Sequence, residues 1–270
     1  MLSTLLVGFD GSPQSRVALD QAILLGHRFR SRIVVVHVTQ ADFFGSADAQ
    51  DEAGHLLTEA ADLVRGAGLS VETALRRGSV EEELRAFSRD ADLLVVGRIG
   101  RLTTDDVLGP DTRELIARSI TPLLVCGAST SPMDRCAVAF DGEATSNQAL
   151  AFAARYAEIA EAQLEVIHVS DDEMSGRAVL ARASGALSVS PLRFETHLET
   201  GDVHEAVSDA VERLRCNALF VGAHRSEGRW LVPSHTEAIL RATDIPVLIH
   251  NQPQGTGARI SSASHRRTSH

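Results

Sequence analysis

The chain contains its own copy. LLVGFDGSPQSRVALDQA, residues 5–22, falls on CAVAFDGEATSNQALAFA, residues 136–153, with Val7, Phe9, Asp10, Gly11, Ser15, Ala18, Leu19 and Ala22 meeting identical residues. At the same spacing IVVVHV, 33–38, lands on LEVIHV, 164–169. Further on, after small gaps, RRGSVEEEL pairs with ETGDVHEAV, DLLVVG with ALFVG, and ITPLLVC with DIPVLIH. A repeat this long is a whole domain, not one turn of a solenoid. The fold must therefore be one that can be built twice within 270 residues.

Each copy alternates short β-branched runs with amphipathic stretches of helical period, the pattern of a parallel sheet covered by helices on both faces. Strands are predicted over 4–9, 32–38, 70–76, 92–97 and 122–126 of the first copy. Ser12 before Pro13 is an N-cap and first-turn pair for a helix reaching Arg30, and Ser79 with Glu82 makes a capping box for another. Proline can also head a helix running from Asp111 or Thr112 to Ser119. The second copy repeats the plan, with a shorter second helix around 172–187. The division expected is a first domain over 1–127, a short linker, a second domain over 134–250, and a tail over 251–270 whose Gly, Ser, Arg and His composition cannot bury a core and predicts disorder.

Composition narrows the function. A formal net charge of -10 gives no general attraction to nucleic acid or anionic lipid, so neither is an expected partner. MLSTLLVGFDG meets an aspartate too early for a leader or membrane span and reads as a first strand. Cys126, Cys136 and Cys216 show neither CxxC pairing nor histidine at zinc spacing, which fits a reducing cytoplasm.

These residues resemble the universal stress protein family: a first strand ending in Asp-Gly, a second ending in His-Val, a fourth running into a glycine loop, and a Pro-headed fifth. The ordered set occurs twice. The resemblance implies two tandem doubly wound, Rossmann-like α/β domains, each a five-stranded parallel sheet of order 3-2-1-4-5. It also implies, in one branch of the family, ATP binding without ordinary turnover. Final strands pair across a dimer interface in the family, so PLLVC and PVLIH are candidates for self-association within the chain or in a homodimer.

Open α/β sheets take ligands outside the C-terminal ends of the strands where the strand order reverses, here between the first and fourth strands. Asp10 and the loop after Gly97 are predicted to meet there. An ionised Asp10 can accept two hydrogen bonds from a ribose diol, or it can cap the following turn. Gly11 and Ser12 share that turn. Val38 matches a family position whose backbone meets adenine. The loop VVGRIGRLTTDDVLGPD, 95–111, supplies Gly97, Gly100 and Gly109, residue types that allow bare N–H groups and positive φ beside a phosphate. The family pattern is Gly, two residues, Gly, nine residues, then Gly followed by Ser or Thr. Here eight residues precede Gly109, and Pro110 has neither an N–H nor a hydroxyl to offer. Asp111 suits the helix dipole but repels a triphosphate. Arg98, Arg101 and the Thr112 hydroxyl are the expected compensation, and AMP or ADP, with or without Mg2+, competes with ATP as the ligand.

The second copy departs further. GAHRSEGRWLVPSHTE keeps Gly222, places His224 where the family often has histidine, and has Arg225 at the second glycine and Pro233 at the last. Ser234 keeps the hydroxyl and Asp141 the strand-end carboxylate. These are weak candidates in a degenerate half. His37 and His168 occupy equivalent strand ends and read as structural hydrogen bonders, because no nucleophile or paired acid stands in a triad relation to them. The Glu81–Glu83 run is explained by the helix dipole and solvation. No catalytic residue and no dedicated metal ligand is expected. Two functions lead: an adenine-nucleotide-binding stress protein acting through its first half, and a nucleotide-independent scaffold acting through its paired halves toward an unknown protein partner; slow ATP hydrolysis, for which the sequence shows no general base, ranks last.

Overall fold

The computed structural model describes residues 2–39, 47–100, 108–223 and 235–251. In the first half, β1 (Thr4–Gly8), α1 (Pro13–Phe29), β2 (Arg32–Thr39), α2 (Ala47–Gly66), β3 (Val71–Arg77), α3 (Val80–Phe87), β4 (Leu93–Val96), α4 (Pro110–Arg118) and β5 (Leu123–Val125) follow one another. The second half repeats the series as β6 (Arg135–Ala139), α5 (Ala144–Ala160), β7 (Gln163–Val169), α6 (Glu173–Leu187), β8 (Phe194–Glu199), α7 (Val203–Arg213), β9 (Ala218–Ala223), α8 (His235–Ala242) and β10 (Val247–Asn251). The strand order β3-β2-β1-β4-β5-β10-β9-β6-β7-β8 contains the order 3-2-1-4-5 twice, joined tail to tail. Pairing is parallel within each half and antiparallel between β5 and β10, where Leu124 faces Leu248. The final strands thus associate within one chain.

Side chains alternate between the two faces of a strand, and here both faces are covered. Leu5 and Val7 pack on one side with α1, α2, α5 and α6, whereas Leu6 packs on the other with α3, α4, α7 and α8. Each core runs through both halves, so the duplicated units share their apolar interior. The linker is pinned as well. Gln21 on α1 donates to the Ser131 carbonyl at 3.0 Å and accepts the Ser131 N–H at 2.7 Å.

Local chemistry fixes the boundaries. The Ser12 hydroxyl accepts the Ser15 N–H at 3.2 Å and Pro13 opens α1, as the sequence predicts. Ser79 is the N-cap of α3, but its side chain makes no capping bond, so the capping box is not formed. In that helix Glu81 is buried and paired with Arg85 at 2.8 Å, so an ion pair, not solvation, accounts for it. α6 has 15 residues against 20 in α2, the shorter helix expected of the second half. The sheet extends one residue into the expected tail. Asn251 ends β10, and its buried amide donates to the carbonyls of Ile116 and Ser119 in the first half. Residues 252–270 lie outside the described residues.

Candidate functional site

A cavity of about 560 Å³ opens where the strand order reverses, at the C-terminal ends of β1 and β4. That volume suits a small organic ligand. β1 delivers Asp10 and β2 delivers Val38, while Gly97, Gly100, Gly109 and Thr112 come from the loop after β4 and the start of α4. Six sequence-predicted residues therefore line one space. Gly11 and Ser12 stand behind it as the turn that aims Asp10. Arg101 lies outside the described residues.

Asp10 caps its own turn and also faces the glycine loop. Its Oδ1 accepts the Ser12 N–H at 3.0 Å, which caps the turn, while Oδ2 faces the glycine loop, 3.1 Å from where a Cβ on Gly100 would stand. Gly11 makes the turn possible with φ 76, a left-handed conformation that suits glycine. A Cβ there would also lie 2.6 Å from Leu56 of α2, which the motif gave no reason to place over the site.

The glycine loop works differently from expectation. Gly97, Gly100 and Gly109 are not among the residues of positive φ, and Gly109 sits in extended backbone at φ -66. Close approach explains the first of them: a Cβ on Gly97 would lie 2.8 Å from Gln14 Cβ and 2.9 Å from the Gln14 carbonyl carbon, at the start of α1. Gly109 holds the loop closed by donating its N–H to the Arg98 carbonyl at 2.7 Å. Because Gly109 needs no left-handed backbone, Pro110 after it is tolerated as the first residue of α4.

Arg98 is turned away from the cavity. Its guanidinium is buried and donates to the carbonyls of Leu240 at 2.6 Å, Ile245 at 3.0 Å and Cys126 at 3.3 Å. Burial lowers its pKa, and the nearby Asp244 opposes that shift. The expected phosphate partner is instead a clamp onto the second half, since a planar fork in a dry interior bonds the carbonyls around it. The Thr112 hydroxyl is likewise engaged, donating to the Gly97 carbonyl at 3.2 Å. Asp111 lines the cavity, and its carboxyl pKa is raised by burial first, then by Glu81 and Asp10. Among the described lining residues the charged groups are acidic: Asp10, Glu52 and Asp111.

In the second half Asp141 Oδ1 accepts the Glu143 N–H at 2.8 Å and the Ser146 hydroxyl at 2.6 Å. Gly142 repeats the left-handed turn with φ 83, but the side chain over it is Arg182, whose Nη2 lies 2.1 Å from where a Cβ would be. Gly222 packs against the start of α5, with a would-be Cβ 2.4 Å from the Thr145 carbonyl carbon. His224, Arg225, Pro233 and Ser234 lie outside the described residues. His37 Nδ1 and His168 Nδ1 meet the carbonyls of Phe9 and Phe140 at 2.7 Å each, the structural role predicted for them. The described residues include no helix long and apolar enough to cross a membrane.

Comparison with known proteins agrees with this architecture. The sequence model of the universal stress protein family matches residues 1–127 and 182–250. A curated relative, universal stress protein Slr1230 of Synechocystis, is 28% identical over 200 residues, covering 72% of this chain and 70% of its own. The crystal structure of a universal stress protein from Archaeoglobus fulgidus superposes with a TM-score of 0.82 at 20% identity, covering 94% of this chain and 98% of that one. A functionally unknown protein from Pseudomonas aeruginosa PAO1 gives 0.71 at 17% identity, covering 93% and 92%. Two copies of one doubly wound unit, an Asp-Gly turn at each switch point and a family match spanning both halves lead to one conclusion: the chain belongs to the universal stress protein family.

Proposed function

We propose that the first half binds an adenine nucleotide in the cavity between β1 and β4, and that the protein acts in the stress response through this binding and not through turnover. The carrying observation is the convergence of Asp10, Gly97 and Gly100 on one cavity at the switch point. Asp10 is the acceptor for the ribose hydroxyls, Val38 flanks the base, and the apolar walls from Leu56 and Leu84 exclude water around it. The acidic lining disfavours charge on the ligand, so AMP is the better occupant than free ATP, and ATP needs Mg2+ to offset its phosphates. No residue is assigned as a general base.

The occupancy signal has a physical route. Gly97 and Ile99 line the cavity on either side of Arg98, whose guanidinium grips the second half. A ligand that favours one loop position thereby favours one seating of the halves. A second reading, a nucleotide-independent scaffold, is favoured by the engagement of Arg98 and Thr112 away from any phosphate. Titration calorimetry with AMP, ADP and ATP, with and without Mg2+, separates the two. Asp10→Asn keeps the acceptor for the Ser12 N–H and removes the acceptor for ribose. We expect at least tenfold weaker binding in that variant, and equal affinities in variant and wild type sink the assignment.

A further inference from the structure

The second half carries a side-chain cluster that the first half lacks, away from the switch point, on β7 and β8. Glu165 on β7 pairs in register with Glu195 on β8, and His197 follows two residues along, so all three share one sheet face. One donor atom from each lies within 4.8 Å of the others. Glu165 is fully buried, His197 is partly buried, and Glu195 is exposed. The equivalent positions in the first half are Val34, Glu72 and Ala74, where Val34 pairs with Glu72 on β3 in the same register. A buried carboxylate has replaced a buried valine in one copy only.

That replacement is costly on stability grounds, because a buried ion pair is often no better than the apolar residues it displaces. The orientation of Glu165 shows what it is set up to do. Its Oε1 accepts from the Arg135 guanidinium at 2.8 Å and from the Gln163 amide at 2.9 Å, which fixes the carboxylate plane. Its Oε2 is thereby aimed at His197 Nε2, 2.8 Å away. Metal-ligating carboxylates are held in this manner, with outer donors on the oxygen that does not bind the ion. Glu195 brings a second carboxylate to the same group of donor atoms.

We propose that Glu165 Oε2, His197 Nε2 and a Glu195 carboxylate oxygen form a binding site for one first-row divalent cation of the zinc type. One imidazole nitrogen with two carboxylate oxygens suits such an ion better than calcium or magnesium, which favour all-oxygen sets. The ion takes the place of the proton between Oε2 and Nε2, and that proton leaves to solvent. Arg135 and Gln163 act as positioning residues on the far oxygen. The site is independent of the nucleotide reading, and either can fail without the other.

The test is zinc binding to the full chain stripped with chelator, measured by competition with a chromophoric chelator. The variants are Glu195→Gln, His197→Gln and the two combined. Glutamine at 197 keeps a donor for the buried Glu165, and Glu195 is exposed, so the fold is expected to survive; far-UV dichroism and urea midpoints check this. We expect one tight equivalent in the wild type that disappears in the double variant, and weakening by about 10–100-fold in Gln163→Ala, the loss typical of outer-shell changes. Cobalt bound in place of zinc should show visible bands that the double variant lacks. Absence of a saturable equivalent in the wild type, or the same equivalent persisting in the double variant, overturns the proposal.

Discussion

The two switch points were built from one plan and have been treated differently. Both keep the frame: an Asp-Gly turn with left-handed glycine, a histidine tied to the strand-end carbonyl, and a glycine pressed against the start of the next helix. They differ in what stands over that frame. Leu56 covers Gly11 in the first half, leaving a cavity beside it, whereas the Arg182 guanidinium covers Gly142 in the second. Arg98 reaches across to the second half, and the position matching it in β9 is Ala223, which cannot reach back. Duplication has kept what folds the sheet and altered what stands over each switch point.

The largest expected effect comes from breaking that one-way clamp. Arg98→Met leaves buried carbonyls of Leu240, Ile245 and Cys126 without their donor, and unpaired buried acceptors cost about 1–3 kcal/mol each. We expect a loss of about 3 kcal/mol in urea unfolding, discounted for relaxation. In hydrogen exchange, AMP should slow residues 235–251 of the wild type and leave them unaffected in the variant. Ala223→Met, the matched control, should do neither.

Next come the paired glycines. Gly222→Ala drives a methyl into Thr145 backbone at 2.4 Å and Gly97→Ala into Gln14 at 2.8 Å, so both destabilise, Gly222→Ala by more. Overpacking of this kind costs about 1–3 kcal/mol, readable as a shift in the urea midpoint. A reversed order would show that the second switch point is the looser one.

Asp111 sharpens the comparison through pH. Its raised pKa means that the folded state holds the proton more tightly than the unfolded chain. Its contribution therefore stabilises as pH falls through the folded pKa and is lost as pH rises. Neutralising it also removes a negative charge from the cavity, so AMP should bind more tightly below the folded pKa of Asp111 than above it. Asp111→Asn should bind more tightly at the higher pH and flatten that dependence. A dependence unchanged in the variant would assign the titration to another group.

The smallest effect tests the helix starts. Ser12 caps α1 with its side chain, whereas Glu143, the N-cap of α5, makes no side-chain cap bond. Ser12→Ala should cost about 1 kcal/mol, and Glu143→Ala close to nothing. Thermal melts of the two variants give the contrast.

Much of the frame was legible in the sequence because it rests on local chemistry and period. The alternation of apolar runs located the strands, Ser12-Pro13 marked α1, and the internal copy told where the pattern begins again. The self-pairing of PLLVC and PVLIH also emerged as β5 and β10. What escaped depends on direction, which sequence does not encode at this scale. Arg98 beside two glycines looked like a phosphate ligand, but a side chain on strand-end backbone can turn to either side, and here it met two carbonyls of the second half and one of its own. Gly109 was expected to allow positive φ, but it stands in extended backbone and donates its N–H to the Arg98 carbonyl. Leu56, Arg182 and the Glu165–His197 pair had no motif to announce them, since their partners are distant in sequence and meet only through strand register or helix packing.

The central claim is that one half binds and the other does not. Native mass spectrometry of gently purified chain, supplemented with AMP or with ATP and Mg2+, counts occupied sites directly. One nucleotide mass per chain, lost with Asp10→Asn and retained with Asp141→Asn, is the predicted result. Two masses per chain, or a single mass lost with Asp141→Asn and kept with Asp10→Asn, would contradict it.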